Sequence, residues 1–273
     1  MKKFFINEQH VATIAGDMAI WIKEKVVQAH CKGLVLGMSG GIDCSVTARL
    51  CQLAGIDVQL VMMPYGDDMR ITKSLDHAMA LIDKFNFPYH IYDIRPAVDA
   101  LTLSMDSPFY SCRGVANCSC ADNPDLTDAV TPDINFRLSS ANIRPRVRMT
   151  YLYHLAQADN RLVIGTGNMS ERTVGYFTKW GDGACDLNPL AKLTKQEVYT
   201  LARYLEIPDC IIDKKPSAGL WEGQTDEDEL GLTYAQIDAY IINGTSGHPD
   251  VDRKIEKKAA ISAHKRATIP VFE

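Results

Sequence analysis

Leu34-Val-Leu-Gly-Met-Ser39-Gly-Gly-Ile-Asp43-Cys44-Ser45 reads as a short apolar strand that passes through a glycine turn into a helix. Gly37, Gly40 and Gly41 carry no Cβ, so the backbone can turn sharply and aim several N–H groups at one anion. The helix opening near Asp43 adds the positive end of its dipole at the same point, and a polyphosphate suits such a cradle. The stretch lacks both the Gly-Lys-Ser/Thr ending of a Walker A loop and the spacing of the dinucleotide glycine fingerprint. A plain packing turn between strand and helix is the blander reading. Asp43 weighs against it, because a carboxylate beside bound phosphate calls for a shared divalent cation, and Mg²⁺ takes oxygen ligands from both.

Outward from that loop, strand 34–38, helix 43–54, strand 58–63, helix 72–85 and strand 89–94 alternate as in a parallel sheet built from right-handed crossovers. Ligands in such sheets bind at the carboxyl ends of the strands, where Ser39 to Asp43 falls. Upstream, Val11, Ile14, Met18, Ile22 and Val26 recur at helical spacing, for packing or for a dimer face. Downstream the periodicity breaks from Ala97 to Pro132, a long loop or insertion containing Cys112, Cys118 and Cys120. It returns from Ile134 to Ala158, where Arg144, Arg146 and Arg148 form either a solvated basic edge or a set of planar anion donors.

A second apolar strand at Arg161 ends in Gly-Thr166-Gly-Asn168-Met-Ser-Glu171 and is expected to face the same crevice. Glu171 there is either a second metal ligand or a helix cap. The loop 175–189 holds Lys179, Asp182 and Asp186. Thr194 is the expected N-cap of a helix reaching Leu205, and Lys195 in its first turn opposes the dipole, which implies a nearby anion. Residues 207–232 read mostly as loop, a lid or a plain surface segment. The helix from Pro249 ends in His264-Lys265-Arg266, a basic last turn that suits the negative helix end.

The 273 residues are 46% hydrophobic and 23% charged with a formal net charge of −5, as expected of a soluble globular chain without the basic excess of nucleic-acid or anionic-membrane binders. No run approaches the roughly 20 apolar residues of a membrane span, and the N-terminus lacks a signal-peptide core, so a cytoplasmic protein is expected. The eight cysteines are expected to be mostly free thiols. Cys112, Cys118 and Cys120, with Asp122 close by, are the exception: a metal site is the lesser alternative there, since the spacing matches no standard zinc pattern and no His is near.

The ordered set of motifs resembles the ammonia-dependent NAD synthetases of the ATP pyrophosphatase superfamily. It is carried by the Ser39-to-Asp43 loop, Arg146-Val-Arg148-Met, Gly165-Thr-Gly-Asn-x-Ser-Glu171, Gly175-Tyr-Phe-Thr-Lys179-x-Gly-Asp-Gly-x-x-Asp186, Lys195, Lys214-x-Pro-Ser217-Ala and His264-Lys265. The resemblance implies an α/β, Rossmann-like (adenine nucleotide alpha hydrolase-like) parallel sheet flanked by helices. It implies one domain over 1–273, with an irregular cysteine-bearing segment at about 104–132. The implied reaction adenylates deamido-NAD with ATP, then lets ammonia displace AMP to give NAD.

By the same resemblance, Gly37, Met38, Ser39, Gly40, Gly41, Ile42, Asp43 and Cys44 cradle ATP, with Thr166, Lys195 and Ser217. Asp43 and Glu171 hold Mg²⁺; Arg146, Lys179, Asp186, His264 and Lys265 contact deamido-NAD; Asp43, Lys195 and Asp186 carry the chemistry. A homodimer is implied. Cys44 departs from the family's Ser and is the weaker donor. The stretch 66–70 departs from the family's Gln- and Asp-rich pattern, which leaves the adenine side open. Two rivals remain: another amide-forming ATP pyrophosphatase, and a non-catalytic adenine-nucleotide-binding module. A glutamine-dependent version would need an amidase domain for which this chain has no room, so free ammonia or a separate donor protein is the expected source.

Overall fold

Strands β1 (Gly33–Gly37), β2 (Val58–Met62), β3 (Tyr89–Ile91) and β4 (Arg161–Val163) form one parallel sheet in the order β3-β2-β1-β4. The computed structural model describes residues 6–66, 69–106, 138–214, 216 and 225–272. The chain adds strands to one side of β1 and then crosses to its other side for β4. The order therefore reverses beside β1, and a crevice opens outside the carboxyl ends of β1 and β4.

Period-2 alternation sorts the strand side chains between two cores. Leu34, Leu36, Leu60 and Met62 face one layer, with α1 (Val11–Gln28), α2 (Ile42–Leu53) and α3 (Met69–Phe85). Val35, Val61 and Val163 face the other, with α4 (Arg95–Asp106) and α5 (Ile143–Ala158). Both faces are covered, which is why the β1 run is apolar throughout. The chain continues through α6 (Met169–Val174), α7 (Lys195–Tyr204), α8 (Asp209–Ile212), α9 (Asp226–Leu230), α10 (Tyr234–Asn243) and α11 (Pro249–Ile261). Val174, Leu230, Leu232, Ile237 and Ile255 make a third, smaller core beneath the later helices.

Three readings of the sequence are corrected. The expected break from Ala97 is helical, since α4 runs to Asp106. Pro96 sits in its first turn, where a missing N–H is harmless, and Asp93 Oδ1 accepts the Arg95 N–H at 2.8 Å. The acidic run after Thr225 is helix rather than loop: four carboxylates fill the first turn of α9, Thr225 caps it, and Gly231 ends it at φ +58°. Finally, Lys265 and Arg266 do not merely neutralise their own helix end. Lys265 Nζ donates to the carbonyls of Gly175 and Phe177 at 2.8 and 2.7 Å, and Arg266 donates to that of Arg172 at 2.8 Å, tying the C-terminal turn to α6. The sequence reading assigned no helix at α10. Cys112, Cys118 and Cys120 lie outside the described residues; Cys31, Cys44, Cys51, Cys185 and Cys210 are free thiols.

Candidate active site

The loop after β1 is held in an unusual conformation by a close neighbour. Gly40 has φ +67°, and a Cβ there would stand 2.2 Å from the Ser74 carbonyl oxygen of α3. Glycine is required twice, by torsion and by space. Gly41 is the extended N-cap of α2, and the Ser45 hydroxyl donates to its carbonyl at 2.7 Å. The Cys44 thiol is buried, 3.1 Å from the same carbonyl and 3.3 Å from Ser39 Oγ. It therefore closes the loop from inside.

Beside this loop, the turn after β4 brings in Asn168. The residue is the N-cap of α6 in a reciprocal capping box: its side chain accepts the Glu171 N–H at 3.0 Å, and Glu171 Oε2 accepts the Asn168 N–H at 3.2 Å. Asn168 Nδ2 donates across to Asp43 Oδ1 at 2.9 Å. Glu171 thus caps the helix through one oxygen, while its other oxygen, Oε1, faces the Lys195 ammonium.

Lys195 closes the cluster. Its Nζ donates to Asp43 Oδ2 at 2.6 Å and to Glu171 Oε1 at 3.3 Å, with the residue only 3% exposed. Burial alone would lower the ammonium pKa, but Asp43 and Glu171 outweigh it and hold the pKa above its usual range. Burial lifts the Glu171 carboxyl above the usual carboxylate range; Lys195 opposes that shift, and Asp43 and Asp226 add to it.

The base of α7 is built to hold this lysine. Thr194 caps the helix with Glu197 in a second capping box, Ser170 Oγ accepts the Lys195 N–H at 2.9 Å, and Asp238 Oδ2 accepts the Gln196 N–H at 2.9 Å. The Ser170 hydroxyl donates to Asp238, which is 3% exposed. A carboxylate on α10 therefore offsets the cation that the helix dipole disfavours.

The other expected contact residues spread along the same edge. Thr166 and Glu171 line one cleft with Phe177 and Asp182. Asp186 is exposed and tied to the sheet: its Oδ2 accepts the Val163 N–H at 2.7 Å, and its Oδ1 lies 3.3 Å from the Tyr153 hydroxyl. Arg146 donates to the Lys179 carbonyl at 3.3 Å, which brings those two together, and the Lys179 ammonium lies 5.5 Å from the Trp180 ring centre. Arg148 turns inward instead, donating to the Met63 carbonyl at 3.0 Å. His264 is exposed on the turn beside Lys265. Ser217 lies outside the described residues. Among the residues touching the cluster, Tyr234, Asp226 and Asp238 went unmarked by sequence: Asp226 lay in a segment read as loop, and Tyr234 and Asp238 in a stretch given no assignment.

A glycine loop and a cation gripped by two carboxylates, both at the reversal point of a parallel sheet, define an α/β nucleotide-dependent enzyme. The chain belongs to the NAD synthase family, whose model matches residues 14–270. It is 41% identical to an NH(3)-dependent NAD(+) synthetase of Syntrophomonas wolfei over 92% of each chain. Among solved structures, NMN synthetase from Francisella tularensis superposes with a TM-score of 0.81 at 33% identity, covering 98% of this chain and all of that one. The NH3-dependent NAD synthetase of Campylobacter jejuni gives 0.70 at 29% identity, again covering 98% and 100%.

Proposed function

We propose that the protein is an ammonia-dependent NAD synthetase, which condenses deamido-NAD and ammonia at the expense of ATP and releases AMP and pyrophosphate. The observation that carries this is the Lys195 ammonium held between Asp43 and Glu171 beside the Gly40 loop, in a chain of the NAD synthase family. A bare carboxylate resists a nitrogen nucleophile, so it must first become a mixed anhydride with AMP. The main task is then stabilising charge on the α-phosphate and on departing pyrophosphate. Residues 37–44 cradle the phosphates, Lys195 offsets the developing charge, and Thr166 and Ser217 complete the ATP contacts.

Asp43 and Glu171 already converge on one cation, and two carboxylates suit Mg²⁺, which keeps waters and phosphate oxygens as its other ligands. Bound there, Mg²⁺ would neutralise phosphate charge. Arg146, Lys179, His264 and Lys265 take deamido-NAD, and Asp186 stands at the nicotinate end to help receive ammonium. One domain spans the chain, supported by the family match over 14–270. The enzyme acts as a homodimer in the cytoplasm, where its nucleotide substrates are found; light scattering checks the dimer. Among the described residues no helix is long and apolar enough to cross a membrane.

The test is incubation with deamido-NAD, MgATP and either ammonium or glutamine. NAD, AMP and pyrophosphate are expected in equal amounts with ammonium, and absence of AMP would overturn the reading. Asp43→Asn and Glu171→Gln should each slow adenylation at least tenfold. Asp186→Asn should change how the rate depends on ammonium; an unchanged dependence removes Asp186 from that role. The likeness to NMN synthetase supports a second reading, the same amidation on the mononucleotide acid. Parallel assays with the two acids separate them by kcat/KM.

A further inference from the structure

Tyr234, the first residue of α10, touches both Glu171 and Lys195. Its hydroxyl lies 3.4 Å from Glu171 Oε1, and its ring centre lies 4.9 Å from the Lys195 ammonium. A ring face at that distance attracts a cation. The hydroxyl also lies 2.9 Å from Asp226 Oδ2. Asp226 and Tyr234 are 5% and 6% exposed, so neither is a surface residue reaching in by chance.

Asp226 is itself fixed. Its N–H donates to the Pro216 carbonyl at 3.1 Å, and its Oδ1 lies 3.1 Å from the hydroxyl of Tyr176, which follows α6 directly. The Tyr234 N–H donates to Glu227 Oε1 at 2.8 Å. The contacts therefore close a ring: Glu171 on α6, Tyr234 on α10, Asp226 on α9, and Tyr176 back at the end of α6. Such a ring has no use in packing alone, where apolar side chains would fill the space without a carboxylate to satisfy.

We infer that Tyr234 and Asp226 are positioning residues, a hydroxyl–carboxylate pair that holds Glu171 and Lys195 in register with Asp43 for the adenylation step. The inference rests on the reading of the Asp43–Glu171–Lys195 cluster as the adenylation centre. Tyr234→Phe keeps the ring against Lys195 and removes only the hydroxyl, whose single proton goes to Asp226 at 2.9 Å. Positioning then predicts a kcat about tenfold lower per mole of folded protein, with the KM for deamido-NAD within about twofold. Asp226→Ala, which also takes a partner from the Tyr176 hydroxyl, should cost at least as much, and the double variant should be no slower than Asp226→Ala, because the Tyr234 hydroxyl acts through Asp226. Asp226→Asn, which keeps an oxygen for the Tyr234 hydroxyl, should recover part of the loss.

The experiment is steady-state kinetics at saturating substrates and varied Mg²⁺, with the folded fraction of each variant taken from thermal melts. A purely structural pair would lower the melting temperature and leave kcat per folded molecule unchanged. Wild-type kcat in Tyr234→Phe, or losses that multiply in the double variant, overturns the inference. If Tyr234→Phe does not fold, the two Asp226 variants decide: equal kcat in Asn and Ala overturns it, and recovery in Asn upholds it. Full activity in Asp43→Asn would instead remove the centre itself, and the inference with it.

Discussion

In the glycine loop after β1, Gly40 and Cys44 should differ in their tolerance to change. Gly40→Ala would force a left-handed torsion worth roughly 1–2 kcal/mol on a residue with a Cβ and drive that atom into the Ser74 carbonyl. The expected result is a lower urea midpoint together with at least a tenfold rise in the KM for ATP. Cys44→Ser should change that KM by less than about threefold, since a hydroxyl can donate to the Gly41 carbonyl that the thiol now faces. The Ser45 hydroxyl already bonds the same carbonyl, so the departure at Cys44 leaves the loop closed. The glycine turn and Asp43 were legible in the sequence because torsion and charge are properties of the residues themselves. Ser74 above Gly40 and Tyr234 beside Lys195 were not, because each depends on which helix is folded over the loop. Asn168 stood in a recognised motif, yet its bridge between Asp43 and Glu171 emerges only when β1 and β4 are neighbours.

Capping joins the elements around the site. Asp238 on α10 meets Ser170 on α6 and the first turn of α7, so one side chain locks the two helices that carry Glu171 and Lys195. Asp238→Ala leaves the Gln196 N–H and the Ser170 hydroxyl buried without that partner, a loss of about 2–4 kcal/mol measurable by urea unfolding. At the start of β4, Arg161 bonds Asp159 and Asp57 at 2.6 Å each. The Arg161 hydrogen bond holds the Asp159 carboxyl below the usual carboxylate range. A depressed pKa stabilises the fold above the unfolded value of about 4 and loses that contribution as pH falls further. Urea midpoints of wild type and Asp159→Asn should therefore differ at pH 7 and converge as the pH falls below the depressed folded-state pKa. The strong helices and the buried strands could be read from periodicity. α4 and α9 could not, because Pro96 and a run of four acids look like breaks until the dipole and the N1 position are considered together.

For the whole molecule, strand order matters more than any one contact. Parallel pairing of β1 with both β2 and β4 sets the glycine loop and the Asn168 turn at adjacent strand ends, and the Asp43–Glu171–Lys195 cluster follows from that adjacency. Alternation of apolar and helical stretches was enough to infer a parallel sheet, whereas the third core was hidden because α9 was read as loop and α10 was given no assignment, although the helix from Pro249 was expected. Nucleotide bound across these units should protect α6, α7 and α10 from amide exchange together, since they share the Ser170–Asp238 lock; exchange rates with and without ATP check this. The ion pair also has a consequence in time. Asp43 and Lys195 stand 152 residues apart, which at cellular translation rates separates their emergence from the ribosome by roughly ten to thirty seconds. Throughout that interval the glycine loop and Asp43 exist without their lysine, and the cluster is completed only when the second half of the chain arrives.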